Sequence, residues 1–268
     1  MLKTIGFIGC GNMATAIIKG LIGAGFASES IFVYDIDETK LQCFAEKGLS
    51  TCTNELDVAK NSDAVVLAVK PQVMEKLLEK LGDCSKDTVY VSIAAGISTA
   101  SIKRLLGYDA KVVRVMPNTS LLMGLGATAI SYTPPVSNEE FEAVKAMFAS
   151  SGIVEEVDES LMNAVICVNG SSPAYVYYLA KAVVDGGEKQ GIDRETALKL
   201  FIKVLEGSAK MLEASGDTPD ELISKVCSKG GTTIEAINTF DKQGVHDAII
   251  EGMDACTKRA WELDIPEK

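Results

Sequence analysis

The first 158 residues alternate short apolar runs with longer amphipathic runs. The apolar runs are rich in valine and isoleucine and almost unbroken, which is typical of strands buried on both faces of a parallel sheet. The amphipathic runs have helical spacing, and several end in a glycine suited to a left-handed C-cap. We therefore predict an α/β fold in which a doubly wound, mostly parallel sheet forms the N-terminal part. The predicted strands lie at 4–9, 31–35, 63–69, 88–94, 111–116, 126–132 and 151–157.

The strand pattern stops at about residue 158, and the rest of the chain has helical spacing. Residues 159–191 have the pattern of one long helix, which Pro173 would bend because it removes a backbone donor. Further helical runs lie at 193–216, 218–227, 232–242 and 244–263. The pattern thus predicts two domains, a sheet domain at 1–158 and an all-α domain at 159–268.

Composition narrows the functional classes. The chain has 268 residues, of which 47% are hydrophobic and 24% charged, and both halves share the net charge of −11. This charge argues against nucleic acid as a partner, and no apolar run approaches the ~18 residues of a membrane span. The seven cysteines are scattered without a C-x-x-C pair, and His246 is the single histidine. These features predict a soluble, cytoplasmic protein without disulfides and without a metal site.

The turn after the first predicted strand carries the pattern G-x-G-x-x-A. Gly9 suits the tight turn, Gly11 lets the backbone approach a pyrophosphate, and Ala14 allows close packing of helix on strand. The phosphates would then meet the free N–H groups at the start of the helix. This context favours a Rossmann-type dinucleotide site over a purely structural turn. Its predicted residues are Gly9, Cys10, Gly11, Asn12 and Met13.

Asp35 ends the second predicted strand, 26 positions after Gly9. A carboxylate at this point can bind the adenosine ribose hydroxyls and would repel a 2′-phosphate, so the position favours NADH over NADPH. Two alternatives stay open. Asp35 is a solvated turn residue in one of them, and in the other Lys40 turns back to accept a phosphate.

Two more segments follow predicted strands, at the sheet edge where α/β proteins bind ligands. Their candidate cofactor residues are Ala68, Val69, Lys70 and Pro71 in the first segment and Pro117 and Asn118 in the second. Structural explanations remain open for three of them. Pro71 suits the first position of a helix, Lys70 a solvated edge, and Asn118 either a turn or the nicotinamide pocket.

The segment SKGGTT at 228–233 precedes another predicted helix. Thr232 and Glu235 have the spacing of a capping box, in which the two side chains satisfy free N–H groups of the first turn. That box leaves the serine, the two glycines and the second threonine unexplained. Exposed N–H groups, hydroxyls and the helix dipole together favour a carboxylate-binding site at this helix start.

Together these motifs resemble those of the Δ1-pyrroline-5-carboxylate reductase family over essentially the whole chain. The glycine turn is IGFIGCGNMA, and VKPQ at 69–72 and RVMPN at 114–118 follow it. VDE at 157–159 and GSSPAYVY at 170–177 come next, and SKGGTTIEAI begins at residue 228. The last motif is the most specific, because a generic dinucleotide-binding enzyme has no reason to carry it.

The resemblance implies a Rossmann domain followed by a helical dimerisation domain, in a homodimer or higher oligomer. It also implies an active site shared between the cofactor of one subunit and the C-terminal helices of its partner. The implied reaction reduces 1-pyrroline-5-carboxylate, a small cyclic imine, to L-proline with NADH or NADPH, the last step of proline biosynthesis. By position, the substrate carboxylate would be held by Ser228, Gly231, Thr232 and Thr233, with Thr233 near the imine nitrogen as the catalytic residue.

Three departures from the family pattern bear on the substrate. Lys229 replaces the usual proline, Ser172 replaces the second glycine of GSGPA, and the helix at 201–212 lacks the common AQT. The alternatives are therefore a reductase of a related cyclic imine acid and a β-hydroxyacid-type dehydrogenase. The latter needs a lysine early in its first long helix, where none occurs before Lys181. A dinucleotide-binding regulatory protein is the non-enzymatic alternative, and the intact glycine turn and GGTT argue against it.

Overall fold

A computed structural model of the protein describes residues 2–82, 84 and 86–266. The strands within these residues are β1 (Ile5–Ile8), β2 (Ile31–Tyr34), β3 (Ser50–Thr51), β4 (Ala64–Leu67), β5 (Val89–Ser92), β6 (Lys111–Met116), β7 (Gly126–Thr133) and β8 (Gly152–Glu156). They form one sheet in the order β3-β2-β1-β4-β5-β6-β7-β8, in which only the β6–β7 pair is antiparallel. From β1 the sheet continues through β2 to β3 on one side, and from β4 it continues through β5 to β8 on the other side. A crevice therefore opens at the carboxyl ends of β1 and β4, where the strand order reverses.

Helices follow most strands in the first half of the chain and fill the second half. Their bounds are α1 (Asn12–Gly23), α2 (Glu38–Ala45), α3 (Glu55–Lys60), α4 (Pro71–Leu81), α5 (Thr99–Leu106), α6 (Asn138–Ala149), α7 (Ser172–Lys189), α8 (Arg194–Ala214), α9 (Pro219–Val226), α10 (Thr232–Lys242) and α11 (Val245–Trp261). The predicted architecture, a doubly wound sheet followed by a helical region, is confirmed.

The core lies on both faces of the sheet, as the unbroken apolar strands require. All four residues of β4 are fully buried. On one face, α1 and α6 contribute Ile17 and Phe148 to a cluster that includes Phe7. On the other face, α4 and α5 contribute Leu78 and Ile102 to a second cluster. Helices on both faces shield the parallel strands from water and fix where their carboxyl ends lie.

The predicted single helix over 159–191 is wrong. The segment forms a 3₁₀ turn at Glu159–Leu161 and a π-helical turn at Ile166–Gly170, and only then α7. Pro173 is the second residue of α7, where its missing N–H costs no hydrogen bond, so it begins a helix instead of bending one. The π-helical turn is held by side-chain bonds to the sheet, which sequence periodicity does not reveal.

Two short elements, β3 and α3, have no counterpart among the predicted ones. β3 has only two residues, too few for an apolar run. α3 has six residues, and the side chain of Asn54 caps it by accepting a hydrogen bond from the Asp57 backbone N–H at 2.9 Å. An asparagine three residues before an acidic residue was the available signal.

The chain divides into two compact units. The first contains the sheet, continues to Pro173 and includes the last segment from Ala255, and the second is Ala174–Asp254. The boundary at residue 158 predicted from sequence remains a prediction. No helix in the described part of the chain is long and apolar enough to cross a membrane. The same residues contain no cluster of three or more potential metal ligands.

The second unit has almost no core of its own. Within 174–254, a range the structure describes completely, the buried hydrophobic residues are Val184 and Ala197. Large apolar side chains are exposed on its helices, among them Tyr177, Leu200 and Val204. Five helical segments that bury so little apolar surface do not form a stable unit without a partner surface.

Candidate functional site

The turn after β1 accepts only glycine at its first position. Gly9 has a φ of +97°, and a Cβ atom there would lie 2.6 Å from the carbonyl oxygen of Ala68. Any other residue would combine a left-handed backbone with a clash against the end of β4. Gly11 has a φ of −78°, and a Cβ atom there would meet no atom of the described residues within 4 Å. The space in front of Gly11 is therefore open to a ligand.

α1 begins directly behind this open space. Gly11 is its N-cap residue, and no side chain there accepts a hydrogen bond from the first turn. Ala14 is fully buried against the sheet, so a small residue permits the close approach of helix and strand. Unsatisfied N–H groups and the positive end of the helix dipole thus lie at the turn, an arrangement that suits a phosphate.

Asp35 supports the glycine turn from the end of β2. Its carboxylate accepts hydrogen bonds from the backbone N–H groups of Cys10, at 2.7 Å, and Asp37, at 2.9 Å. The Lys40 ammonium lies 3.6 Å from the Asp35 carboxylate and 3.9 Å from that of Asp37. Asp35 therefore shapes the turn while placing negative charge at the position predicted for the ribose, and Lys40 is already paired with two carboxylates.

Cys10 packs inside the glycine turn. Its side chain is buried, with Sγ 3.7 Å from the carbonyl oxygen of Tyr34. Burial, and to a lesser extent the nearby Asp35 carboxylate, raises the pKa of the Cys10 thiol to about 12. The thiol is therefore protonated at neutral pH and unsuited to act as a nucleophile.

Most of the predicted cofactor residues meet in one cleft of about 270 Å³ at the carboxyl ends of β1, β4, β5 and β6. The cleft is lined by Gly11, Asn12, Met13, Ala14, Ala68, Val69, Lys70, Ile93, Met116 and Pro117. Sequence interpretation missed Ile93 and Met116, although each lies at the end of a predicted strand. The cleft, the open space at Gly11 and the uncapped start of α1 together fit a nicotinamide dinucleotide.

Pro71 and Asn118, two other predicted cofactor residues, are not among the residues that line the cleft. Pro71 is the first residue of α4, as the sequence predicts, and follows the exposed Lys70. Asn118 is buried, and its Nδ2 donates to the carbonyl oxygen of Asn169 at 3.2 Å. Its Oδ1 accepts from the backbone N–H of Ala127, also at 3.2 Å. The Asn118 side chain thus joins protein segments rather than lining the cleft.

The segment 228–231 forms a tight turn in the helical unit. The Gly231 N–H donates to the Ser228 carbonyl oxygen at 3.0 Å, and Gly230 has a φ of +73°. A hydrogen bond from the fourth to the first residue, with a left-handed third residue, is the pattern of a type II turn. A Cβ atom at Gly231 would lie 2.5 Å from the Ser228 hydroxyl oxygen, so the second glycine lets Ser228 fold over the turn.

The capping box predicted for Thr232 and Glu235 is wrong. Gly231 is the N-cap of α10 and no side chain caps the helix. Thr232 is the first helical residue, one position too late for its oxygen to reach back to the N–H groups of the first turn. Those N–H groups, the threonine hydroxyls and Ser228 therefore lie together at an uncapped helix start, which suits a carboxylate.

His246 lies outside both groups of residues. It is in the first turn of α11, its side chain is 78% exposed, and its Nδ1 is 3.2 Å from the neighbouring Asp247 carboxylate. His246 therefore has a surface position. The chemistry of the site has to work without a buried histidine.

The comparisons with known proteins agree with this geometry. A family model described as pyrroline-5-carboxylate reductase dimerisation matches residues 159–263, and one described as coenzyme F420-dependent NADP oxidoreductase matches residues 4–96. A pyrroline-5-carboxylate reductase of Escherichia coli strain K12 is 38% identical over 266 residues, covering 98% of this chain and 99% of the relative. The chain belongs to the pyrroline-5-carboxylate reductase family.

Solved structures support the family over the full length. A pyrroline-5-carboxylate reductase from Coxiella burnetii is 32% identical, with a TM-score of 0.88 over 98% of this chain and 99% of that one. The pyrroline carboxylate reductase of Plasmodium falciparum, solved with NADP bound, is 26% identical with a TM-score of 0.89 and 97% coverage of each chain. The family resemblance predicted from the motifs is confirmed.

Lys229 is the second residue of the type II turn at 228–231. Proline is favoured at this position, because its fixed φ matches the turn and restricts the unfolded chain. We expect Lys229→Pro to raise the free energy of unfolding by about 0.4–1 kcal/mol, measured by urea denaturation.

Lys229→Gln is the matched control, since it removes the charge without fixing φ. We expect it to change the free energy of unfolding by less than about 0.5 kcal/mol. A less stable Lys229→Pro protein would mean that residue 229 does not have the φ of a type II turn.

Proposed function

We propose that this protein reduces 1-pyrroline-5-carboxylate to L-proline by hydride transfer from a nicotinamide dinucleotide. The observation that carries the proposal is the turn and uncapped helix start at 228–233. It offers backbone N–H groups and hydroxyls to a carboxylate, in a chain that also has a dinucleotide cleft. Membership of the reductase family supports the same reaction.

The residues of the first unit would hold the cofactor. The pyrophosphate would lie on the N-terminus of α1 in front of Gly11, with Asp35 at the adenosine ribose. When bound, the reduced nicotinamide supplies the hydride. The end of β4 and the Met116–Pro117 segment would form the walls against which its ring is oriented, and such orientation is a large part of the catalysis in hydride transfer.

The residues at 228–233 would hold the substrate. Ser228, Gly231, Thr232 and Thr233 would bind its carboxylate, and the Thr233 hydroxyl would lie close to the imine nitrogen. An imine nitrogen is protonated in water more readily than a ketone oxygen, so the reaction does not require a histidine acid. The exposed position of His246 agrees with such a mechanism.

The direct test mixes the purified protein with 1-pyrroline-5-carboxylate and NADH or NADPH and follows the cofactor absorbance at 340 nm. We expect oxidation of the cofactor that depends on the imine, with L-proline as the product identified by chromatography. A six-membered cyclic imine acid serves as the control substrate. Absence of turnover with both cofactors would refute the reductase proposal, and a higher kcat/KM for the larger ring would refute the named substrate.

We propose NADH as the preferred cofactor. Asp35 and Asp37 place two carboxylates beside the ribose position, and Lys40 is paired with both. A 2′-phosphate would meet a net negative charge there. The NADP bound to the Plasmodium falciparum relative makes this preference a point to test rather than a family rule.

The repulsion between a 2′-phosphate and a carboxylate ~4 Å away costs about 1 kcal/mol or more. We therefore expect the kcat/KM for NADH to be at least about fivefold above that for NADPH. Asp37→Ser should raise kcat/KM for NADPH, because it releases Lys40 from one carboxylate. Serine keeps the cap that Asp37 provides by accepting from the Thr39 N–H at 3.0 Å, so the fold is preserved. A wild-type protein that prefers NADPH would overturn this cofactor assignment.

We propose that the protein acts as a homodimer or larger homo-oligomer, with each active site built from two subunits. The exposed apolar side chains of the helices within 174–254 need a covering surface, and a second copy of the same unit supplies one. The dimerisation family model that matches 159–263 supports this proposal. The free cysteines are consistent with action in the reducing cytoplasm.

Subunit mixing tests the shared site. Gly11→Val fills the open space where the pyrophosphate would bind, and Thr233→Val removes the hydroxyl proposed at the imine nitrogen. Each variant alone should be inactive and folded. If the sites are shared, subunits exchanged by mild denaturation and refolding should recover about one quarter of the wild-type activity, because half of the dimers carry one intact site. No recovery, despite mixed dimers shown by mass spectrometry, would place each site within one subunit.

A further inference from the structure

The last residues of β6 and those just after it connect the cofactor cleft to the segment 159–170. Arg114, Met116 and Asn118 alternate along the extended backbone, so they share one face of the sheet. The Arg114 guanidinium is 3.2 Å from the Glu159 carboxylate, and Asn118 bonds to Asn169. Met116, between them, lines the cleft. The segment 159–170 is therefore attached to β6 on both sides of a cleft residue.

Asn169 makes the attachment at the cleft end. Its Nδ2 donates to the carbonyl oxygen of Met116 at 2.6 Å and to that of Ala127 at 3.0 Å. Its own carbonyl oxygen accepts from Asn118 Nδ2 at 3.2 Å. A single buried asparagine thus holds together the end of β6, the start of β7 and the π-helical turn that contains it.

The orientation of this amide is fixed by its partners. If the oxygen and nitrogen of Asn169 were exchanged, its Oδ1 would face two carbonyl oxygens and lose both hydrogen bonds. In the observed orientation, Oδ1 is buried and has no hydrogen-bond partner among the described residues. A buried acceptor without a donor costs about 1–3 kcal/mol. The fold keeps this cost at a π-helical turn, a feature that is frequent at functional sites.

The position of Met116 relates this attachment to the cofactor. Asp35, at the adenosine ribose position, follows β2, and the pyrophosphate position follows β1. Because β4, β5 and β6 continue the sheet on the other side of β1, the nicotinamide half would extend over their carboxyl ends. Met116 and Pro117 are the cleft residues that β6 contributes there. The carbonyl group that Asn169 holds belongs to Met116 itself.

We propose that Asn169 is a positioning residue that fixes the Met116–Pro117 wall of the cleft and thereby orients the nicotinamide ring for hydride transfer. The inference rests on the proposed function. Asn169 acts through the Met116 backbone and does not itself need to touch the cofactor. Sequence interpretation gave no sign of this role, because Asn169 lies in an otherwise apolar run, ICVNG.

Asn163 provides a matched control within the same segment. It is also a buried asparagine, and its Oδ1 accepts a hydrogen bond from the Arg114 guanidinium. Asn163 is thus bonded to the side chain of Arg114, two residues before Met116, and not to the backbone of the cleft wall. Asn163→Ser and Asn169→Ser therefore remove the same group from the same segment, and only the second releases Met116.

The experiment compares both variants with the wild-type protein in thermal unfolding, cofactor KM and the primary deuterium isotope effect measured with cofactor deuterated at C4. We expect both variants to have a lower Tm. Asn169→Ser should in addition lower the rate of hydride transfer by about tenfold to a hundredfold, the effect of a shift of ~1 Å at a reacting centre. Its cofactor KM and its isotope effect on kcat should rise, because the chemical step becomes slower than product release. Asn163→Ser should change the cofactor KM and the isotope effect by less than about twofold.

Several outcomes distinguish this inference from the proposed reaction. Normal wild-type turnover with an unchanged cofactor KM and isotope effect in Asn169→Ser would overturn the positioning role alone, as would equal effects in both variants. If the wild-type protein does not turn over the imine, the proposed reaction fails, and titration of NADH fluorescence still tests whether Asn169→Ser weakens cofactor binding. If Asn169→Ser does not fold, Asn118→Ser removes the bond to the Asn169 carbonyl and should shift KM and isotope effect in the same direction.

Discussion

The close approach of β1 and β4 at their carboxyl ends is the constraint on which the rest of the sheet unit depends. At Gly9 the chain leaves β1 with a left-handed backbone and passes so near the Ala68 carbonyl that a Cβ atom would collide with it. This turn aims the start of α1 at the crevice and brings Cys10 within reach of the Asp35 carboxylate. One steric requirement thus places the helix start proposed to bind the phosphates, the carboxylate proposed at the ribose and the first wall of the cleft.

What the sequence predicts well is what neighbouring residues determine. The strands, most helices and the glycine turn follow from apolar runs and from glycines whose backbone requirements are local. Two of the failures involve contacts between distant residues. The π-helical turn depends on Asn169 bonding to Met116 and Ala127, more than 40 positions away, and Asn118 is removed from the cleft by the same network. At α10, Gly231 takes the cap position that the spacing of Thr232 and Glu235 suggested for threonine.

The helical unit shows how function and stability are linked in this chain. The sheet unit buries both faces of its central strands within one chain, whereas residues 174–254 leave most large apolar side chains exposed. Association would therefore contribute a large part of the stability of the unit that carries the proposed carboxylate site. A substitution that weakens association would then also impair substrate binding, without touching Ser228 or Thr233. Comparing activity at several protein concentrations separates such an effect from a direct one.

The two proposed binding elements share one structural feature. Gly11 and Gly231 are both extended N-cap residues, with φ and ψ of −78° and −174° in one case and −81° and 171° in the other, and neither helix has a side-chain cap. A left-handed glycine precedes each of them, Gly9 two positions before Gly11 and Gly230 directly before Gly231. Elsewhere in the described chain, side chains cap α2, α3, α5, α6, α8 and α9, whereas α4, which begins after Lys70, also has no side-chain cap. Because glycine at the N-cap costs only a few tenths of a kcal/mol relative to serine or aspartate, the helices remain stable while their first N–H groups stay available. A side-chain cap at either position would compete with an anionic ligand for these donors, so the absence of caps suits the proposed binding chemistry.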